Sequence, residues 1–495
     1  MKNLLFILSF FFLSAACETE GVALSVDRSM IEFTAQGGEQ ELAVTASEPL
    51  ELVPGESWVS SVAGAKEGNV TNVKVTVERN TTGKDRSTKL SVIAGDERKS
   101  VIISQSAVGG EFGEVVVPEG ALASALPEFL GMGWNLGNQF DAYNNAVAGE
   151  TAWGNPKATQ ATFDKIKAAG FKTVRIPITW LGKVGDAPDY KIDEAWLGRV
   201  AQVVGYAENA GLVTIINIHH DGSESNYWLD VVEASKDASV HKKIIDQTKA
   251  MWTQIAEKFA DKGDFLIFEG FNEIHDGKWG WGTNRTDGGK QYKCLNEWNQ
   301  AFVDAVRATG GNNADRILGV PAYCTNVDLA IEAFVMPKDS AKDRLMLSVH
   351  CYDPSDYTLT ARYSEWGHTA TSSKKAPGNN ENELKRVFEK IHDNFISKGI
   401  PVYMGEFGCV NRESARDQAF QQYYFRYYAK LAKIYGVASI VWDNGAKGAG
   451  NEKHAFFDHA TGEYCSPAAK AAMEALLTSY NDNLTLDEVY NSAPK

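Results

Sequence analysis

The chain has 495 residues, more than one ordinary domain, so two or three folded units are expected, one of which can be a barrel of about 250 residues or more. Hydrophobic residues make up 44% and charged residues 23%, enough apolar surface to bury a large core, which argues against a disordered chain. A formal net charge of −15 without any basic run argues against nucleic acid as a partner, because such binding draws its affinity from Lys and Arg on phosphates.

At the amino terminus, Lys2, the apolar run Leu4 to Leu13 and the small residues Ser14-Ala15-Ala16 read as a signal peptide over residues 1–16, too short to span a bilayer. Cys17 follows at once and resembles the lipidation site of a bacterial lipoprotein. Glu18-Thr19-Glu20 behind it resembles the export signal of surface lipoproteins, although Ser14 stands where the usual motif has Leu. The resemblance implies a tether over residues 17–22 and an outer-membrane lipoprotein facing the cell surface. The other cysteines, Cys294, Cys324, Cys351, Cys409 and Cys465, are too widely spaced for a disulfide framework or a C-x-x-C metal site and read as small buried hydrophobes.

Residues 23–107 alternate in period two, as in Ile31-Glu-Phe33, Leu42-Ala-Val44, Val73-Lys-Val75-Thr-Val77, Leu90-Ser-Val92 and Val101-Ile-Ile103. Turn residues such as Gly37-Gly38 and Pro54-Gly55 separate the runs. Short strands at that spacing predict a small all-β sandwich. The run Asn80 to Leu90 and the closing Val101-Ile-Ile-Ser-Gln105-Ser resemble the immunoglobulin-like BACON module found ahead of bacterial glycanases. That name implies carbohydrate binding, but Trp58 is the module's only Trp and reads as core, which favours a spacer.

After a linker over residues 108–124 the pattern becomes apolar strand, helix, apolar strand. Candidate strands are Gly131 to Leu136, Thr173 to Ile178, Val213 to Ile218, Leu266 to Phe271, Ile317 to Pro321, Leu345 to Val349, Pro401 to Gly405 and Ala438 to Val441. Continuous apolar runs are what strands buried on both faces require, and each gap holds a crossover helix. Eight such units predict an α/β (β/α)8 TIM barrel over residues 125–481, with a flavodoxin-like open sheet as the alternative. Asn155-Pro156 reads as a helix start and residues 482–495 as a polar tail.

In a barrel the chemistry gathers at the carboxyl ends of the strands. There stand Asn135 and Asn138, Arg175, His219-His220-Asp221, Asn272-Glu273, His350 and Tyr352, Glu406, and Trp442-Asp443-Asn444. Burying carboxylates among apolar strands is costly unless they are paired or used, and two converge here, on strands four and seven. Glu269 is a third carboxylate, placed deeper in the barrel by period-two geometry. Arg175 on its own could equally be a barrel-core ion pair. A metal site of the amidohydrolase kind would want His-x-His on the first strand, where this chain has Asn135, so no metal is expected.

The barrel resembles a family 5 glycoside hydrolase, of the clan with catalytic glutamates on strands four and seven. The matching segments are Gly133-Trp-Asn-Leu-Gly-Asn138, Glu150-Thr-Ala-Trp-Gly-Asn-Pro156, Val174-Arg-Ile-Pro177, Ile218-His-His220, Phe271-Asn-Glu273, Val349-His-Cys-Tyr352, Gly405-Glu-Phe-Gly408 and Val441-Trp-Asp443. The resemblance implies that Glu273 is the general acid/base and Glu406 the nucleophile of a retaining hydrolysis, for which the two carboxyls stand about 5 to 5.5 Å apart. It further implies Asn272 on the sugar 2-hydroxyl, Arg175 and Tyr352 on Glu406, His350 on Glu273, His219 and His220 at the −1 sugar and Trp442 stacked beneath it. Burial and a negative Glu406 would keep Glu273 protonated near neutrality.

Trp153, Trp228, Trp279, Trp281 and Trp366 fall on loops after strands, and with Asn138 and Asn444 they are candidate subsite residues, since indole faces stack on pyranose rings. The expected activity is endo-hydrolysis of β-1,4-glucosidic bonds in plant cell-wall xyloglucan, mixed-linkage β-glucan or cellulose, by a monomer without a cofactor. An endo-β-1,4-mannanase is the alternative enzyme. A noncatalytic glycan-binding surface lipoprotein is the alternative from another class, although it would be expected to have lost a carboxylate.

Overall fold

The computed structural model describes residues 23–33, 37–78, 80, 85–106, 115, 121–222, 227–378 and 380–495. The signal peptide and the Cys17 tether lie outside them, as does most of the linker. Two compact units divide at residues 108 and 109.

The first unit is all β. One sheet has the order β1 (Ser25–Val26), β3 (Gly38–Thr45), β6 (Val70–Val77), β5 (Val59–Glu67). The other is β2 (Met30–Phe33), β8 (Glu97–Gln105), β7 (Arg86–Ala94), β4 (Leu50–Pro54). All pairs are antiparallel except β2 with β8. The period-two pattern sends Leu42, Val44, Val73, Val75, Leu90, Val92, Val101 and Ile103 into one buried cluster. Trp58 packs on this core from its edge, with the Arg86 guanidinium 4.2 Å from its ring centre.

The second unit is the closed parallel barrel. Its strands are β9 (Met132–Asn135), β12 (Thr173–Ile176), β13 (Val213–Asn217), β14 (Leu266–Glu269), β15 (Leu318–Pro321), β16 (Leu345–Cys351), β17 (Val402–Phe407) and β18 (Ala438–Val441), and β18 pairs back to β9. A two-stranded hairpin, β10 (Tyr143–Asn144) and β11 (Val147–Ala148), decorates the loop after β9. The helices in chain order are α1 (Leu122–Leu130), α2 (Gln160–Ala169), α3 (Glu194–Asn209), α4 (Val231–Ala234), α5 (Ala238–Lys258), α6 (Lys290–Ala308), α7 (Val327–Ala333), α8 (Ser355–Thr358), α9 (Glu381–Asn394), α10 (Ala415–Tyr435), α11 (Pro467–Asn481) and α12 (Leu486–Asn491).

Every residue of the eight strands is buried, as the apolar runs predict. Outward side chains such as Val174, Ile216, Phe268 and Leu347 meet the helices, where Trp196, Trp252 and Trp298 lie buried. Inward side chains at the amino-terminal end, among them Val213, Ile215, Ile267 and Met346, form a second cluster closed from below by Leu122, Leu126, Phe129 and Leu130 of α1. Residues 122–124, assigned to the linker, therefore belong to a helix that plugs the barrel floor.

Two other expectations are corrected. Asn155-Pro156 starts no helix: α2 begins at Gln160 behind the N-cap Thr159, and Asn155 instead donates its amide to the carbonyls of Asn138 and Asn444, stitching two loops together. Residues 482–495, read as a polar tail, contain α12, which opens on a Thr485–Glu488 capping box. Val489 and Ala493 are buried, and Tyr490 stacks on His368.

Candidate active site

Above the apolar floor the barrel interior turns polar, and its centre is Arg175 on β12. The guanidinium is fully buried and all of its donors are used. Nε and Nη2 contact Glu269 Oε2 at 2.8 and 2.7 Å, Nη1 donates to Asn135 Oδ1 at 3.1 Å and Glu406 Oε1 at 2.9 Å, and Nη2 donates to Asn272 Oδ1 at 2.9 Å. Burial alone would lower the pKa of Arg175, but Glu269 and Glu406 reverse that and raise it. The core ion pair and the contact to the strand-seven carboxylate are thus made by one side chain. Glu269 is the deep partner, also accepting from Asn217, Ser348 and Tyr403. Burial pushes its carboxyl up, yet Arg175, His350 and the two hydroxyls hold it below the usual range.

Glu406 reaches this layer through a break in the alternation of β17. Tyr403 faces inward and Met404 outward, so strict period two would turn Glu406 outward. The ladder shifts register between Met404 and Phe407, and between Val349 and His350 of β16, bringing His350 opposite Glu406. Bulges of this kind re-aim side chains. Gly405 makes room, since a Cβ there would stand 2.9 Å from His350 Nε2.

The Glu406 carboxylate accepts from Arg175 at Oε1 and from the Tyr352 hydroxyl at Oε2, 2.9 Å each. Burial and the adjacent Glu406 raise the Tyr352 phenol well above its ordinary range, so it remains a donor. Glu273 sits across from it, with Oε1 2.8 Å from His350 Nδ1. One oxygen of Glu273, one of Glu406 and a ring nitrogen of His350 all lie within 4.8 Å of one another. His350 Nε2 is buried against Gly405 with no partner among the described residues, so the tautomer that costs least carries its hydrogen on Nδ1 and donates it to Glu273.

The protonation of Glu273 differs from expectation. Burial raises its pKa, but the His350 hydrogen bond and the electrostatic pull of the His350, His275 and His220 imidazoles outweigh burial and leave the carboxyl below its ordinary range. Only the fold brings this ring of imidazoles together around the carboxyl.

His219 is buried with Nε2 4.0 Å from Glu406 Oε1 and Nδ1 against the Asn217 amide. Burial, then the charges of His220, Arg175 and His350, drive its pKa well below 6.5. His220 stands 3.7 Å from Asp141, which overcomes burial and raises its pKa. Trp442 follows β18 with its ring parallel to that of His219, centres 6.2 Å apart, in space left by Gly137, whose Cβ would lie 2.6 Å from the indole. Of the side chains grouped closely enough to hold a cation, Asp141 already accepts the backbone N–H groups of Asn138 and Gln139, and Glu406 accepts a guanidinium N–H.

The candidate subsite residues divide. Trp153 is 41% exposed and fixed by its Nε1 bond to Tyr143 O, beside Tyr143 and His220. Trp279 is 53% exposed and stacks on His275 at 4.5 Å, and Trp281 projects further, with Arg285 over its ring. Trp228 is half-buried and donates to Asp221, whose carboxyl burial raises to about 7. Asn138 takes a left-handed backbone, φ 54°, and its N–H caps Asp141. Two assignments fail. Trp366 is fully buried among Tyr423, Tyr424 and Tyr427, and Asn444 uses its amide on the backbone of Ala446, His454 and Glu452. Trp134 and Trp180 are fully buried as well.

Asp141, His275 and Glu452 were not read as site residues. Glu452 carries the clearest sign of membership, since burial and then Glu406 and Glu273 raise its pKa. Asp141, three residues past the Gly133–Asn138 motif, and His275, two past Glu273, had a sequence signal, whereas Glu452 had none.

The family model for Cellulase (glycosyl hydrolase family 5) matches residues 137–448, more than half of the chain and nearly all of the barrel. The chain belongs to glycosyl hydrolase family 5. The BACON model, an N-terminal binding domain, matches residues 50–106. Among curated family members, the chain is 38% identical to endoglucanase A of Paenibacillus barcinonensis over 66% of this chain and 83% of that one. It is 33% identical to a xyloglucan-specific endo-β-1,4-glucanase of Bacteroides ovatus over 90% and 89%. Among solved structures, a GH5-4 broad specificity endoglucanase from Bacteroides salanitronis is 55% identical with a TM-score of 0.73, covering 74% of this chain and 97% of its own. The Bacteroides ovatus GH5 xyloglucanase in complex with a XXXG heptasaccharide is 29% identical with a TM-score of 0.65, covering 93% and 100%. This family 5 member is a glycoside hydrolase of endo-β-1,4-glucanase activity.

Proposed function

We propose that this endoglucanase cleaves the β-1,4-glucan backbone of plant cell-wall polysaccharide, taking xyloglucan, mixed-linkage β-glucan and cellulose, with retention of anomeric configuration. The observation that carries the mechanism is the pair of carboxyl oxygens of Glu273 and Glu406 within 4.8 Å. An inverting enzyme needs its carboxyls about 6.5 to 9.5 Å apart to admit a water, whereas about 5 to 5.5 Å suits direct attack.

In the first step a Glu406 oxygen bonds to the anomeric carbon as the glycosidic C–O bond breaks, and the Glu273 proton passes to the departing oxygen. In the second, Glu273 takes a proton from water, whose oxygen displaces Glu406 from the same carbon. Arg175 keeps the nucleophile ionised, while Glu269 neutralises Arg175, so the pair adds no net positive charge against the oxocarbenium-like state. Asn272, held through Oδ1, has its amide hydrogens for the 2-hydroxyl. A sugar over the cleft would strip water from Glu273 and raise its pKa toward that of a proton donor. Trp153 and Trp279 offer exposed indole faces for pyranose rings.

The broad choice of backbone is supported by the similar proteins, which include broad specificity endoglucanases, xyloglucanases and a lichenase. Initial rates on xyloglucan, barley β-glucan, carboxymethyl cellulose and glucomannan, with product sizes, test it; a dominant rate on glucomannan would transfer the chain to the mannanases. NMR of the first products should show the β anomer, and early α product would eliminate double displacement. The same reading includes a lipid anchor on Cys17 at the outer face of the envelope, motivated by Ser14-Ala15-Ala16-Cys17. Labelled palmitate should enter the wild-type protein and not Cys17→Ala.

A further inference from the structure

One buried histidine has no part in the mechanism above. His459 lies between β18 and α11, its side chain without exposed surface and its ring edge-to-face with Trp134 of β9, centres 5.3 Å apart. Its backbone is pinned as well, since His459 O accepts the Thr162 hydroxyl of α2 at 2.7 Å. One ring nitrogen meets the loop after β9: Nδ1 stands 2.9 Å from Gln139 Oε1. The other meets the residue after Trp442: Nε2 stands 3.3 Å from Asp443 Oδ1.

The hydrogens on this ring follow from its neighbours. Gln139 Nε2 lies 2.9 Å from Pro156 O and 3.3 Å from Glu150 Oε1, a carboxylate that also accepts Arg199 and the Ala158 N–H. Both are acceptors, so the amide nitrogen must face them and the amide oxygen must face His459. Nδ1 therefore carries a hydrogen. Asp443 accepts the Trp134 indole at 2.9 Å, Phe456 N at 3.1 Å and Phe457 N at 2.8 Å on Oδ2, and Gly445 N at 3.0 Å on Oδ1. Four N–H donors favour the charged carboxylate, so the hydrogen between Oδ1 and Nε2 belongs to the imidazole. His459 donates from both nitrogens, which only the imidazolium can do.

This buried pair sits where two loops of the site meet. Asp443 O accepts the Gly137 N–H at 2.9 Å, and Gly137 is the residue whose missing Cβ leaves room for the Trp442 indole. Through Gln139 N, which donates to Asp141 Oδ1 at 2.7 Å, the same bridge reaches the carboxylate beside His220.

We propose that His459 is a positioning residue for the Trp442 floor. As an imidazolium bridging Gln139 and Asp443, it closes the loop after β18 on itself and locks it to the loop after β9, fixing the indole beneath the sugar whose bond is cut. The inference rests on the reading of Trp442 as that floor. A neutral ring would turn a lone pair toward Gln139 Oε1 or Asp443 Oδ1, and the bridge would lose one of its two ends.

Two measurements on the full chain test it. With 15N-labelled histidine, NMR under assay conditions should show a bonded hydrogen on both ring nitrogens of His459, the resonances being those lost in His459→Gln. A ring with a single N–H overturns the proposal. The second measurement is the inhibition constant of a cellobiose-derived isofagomine, a sugar mimic for the −1 position, which unlike kcat does not depend on the fraction of folded enzyme. Inhibition should weaken about tenfold or more in His459→Gln, the scale of a small misplacement in a site, and stay near wild type in Trp366→Ala, whose loss is one of packing alone. An unchanged constant in His459→Gln overturns the proposal, since a merely structural role removes active molecules without altering those that remain. Should His459→Gln fail to fold, Gln139→Leu takes its place in both measurements, because it removes the acceptor on Nδ1 and shifts the His459 resonances. Trp442→Ala keeps the two readings apart. If it leaves the constant unchanged, the floor assignment itself fails. If it weakens inhibition while His459→Gln does not, the His459 inference alone falls.

Discussion

Gly405 and His350 compete for the same space: a Cβ on residue 405 would stand 2.9 Å from the buried Nε2 of His350, and the imidazole owes its place against Glu273 to that missing side chain. Gly405→Ala should therefore push the ring off Glu273. We expect kcat on β-glucan to fall about 100-fold or more, the scale of losing a positioned acid–base partner, with about 1–3 kcal/mol of stability lost to overpacking. Steady-state kinetics beside urea unfolding check both, and a fully active Gly405→Ala would show that the ring has room to spare.

Removing Glu406, the proposed nucleophile, should separate chemistry from folding. Glu406→Ala is expected to lower kcat by several orders of magnitude. Turnover within tenfold of wild type would refute the assignment. In the same series, azide should restore activity to Glu273→Ala on activated glycosides, with a β-glycosyl azide as product.

Arg175 carries a structural load that Glu406 does not. Arg175→Met strands Glu269 and Glu406 in the barrel without their counter-charge, and loss of one partner from a buried pair costs about 3–5 kcal/mol. The sign of its pH dependence follows from Glu269, whose folded pKa is depressed. Its contribution is present above the unfolded carboxylate value and is lost as pH falls through the folded one. Wild-type stability should thus decline below about pH 4.3, and Arg175→Met should show a much shallower decline there.

His454 makes a second acid-sensitive element. It is fully buried beside Tyr352, and neither ring nitrogen makes a hydrogen bond among the described residues, the nearest carboxylate being Glu452 at 4.0 Å from Nε2. Burial lowers its pKa to about 3 against an unfolded 6.5. On acidification the unfolded chain takes up a proton that the native state refuses, so stability is full above pH 6.5 and falls toward pH 3. Between pH 7 and 5 the loss is roughly 2 kcal/mol. Thermal unfolding of wild type and His454→Gln at both pH values measures it, and identical pH slopes would contradict the account.

Trp153 and Trp366 should behave as opposites. Trp153→Ala is expected to keep the fold and weaken use of polysaccharide more than of short oligosaccharides. Trp366→Ala should cost about 3–5 kcal/mol of stability through its cavity, with kcat near wild type in the folded fraction.

Both tryptophans stand on loops after strands, and nothing in their neighbouring residues separates an exposed platform from a buried wedge. Trp366 is buried because Tyr423, Tyr424 and Tyr427 of α10 reach it from some sixty residues away. The same reason explains α12: residues 482–495 are polar by composition, and their anchors, Val489 and Ala493 in the core, Tyr490 on His368 and Asp482 on Lys430, all meet partners distant in the chain.

What the amino-acid order determined by itself is whatever local pattern and type decide. Period two made the sandwich, eight apolar runs made the barrel, and a carboxylate at the end of strands four and seven marked the layer proposed as catalytic. What only the tertiary structure decided is how those groups meet. The bulge that turns Glu406 inward against the alternation of β17 and the imidazoles that set Glu273 below the expected range both depend on contacts between different strands. Hydrophobic periodicity is a property of one segment, whereas the charge state and aim of a buried side chain are set by the field and free space of every segment around it.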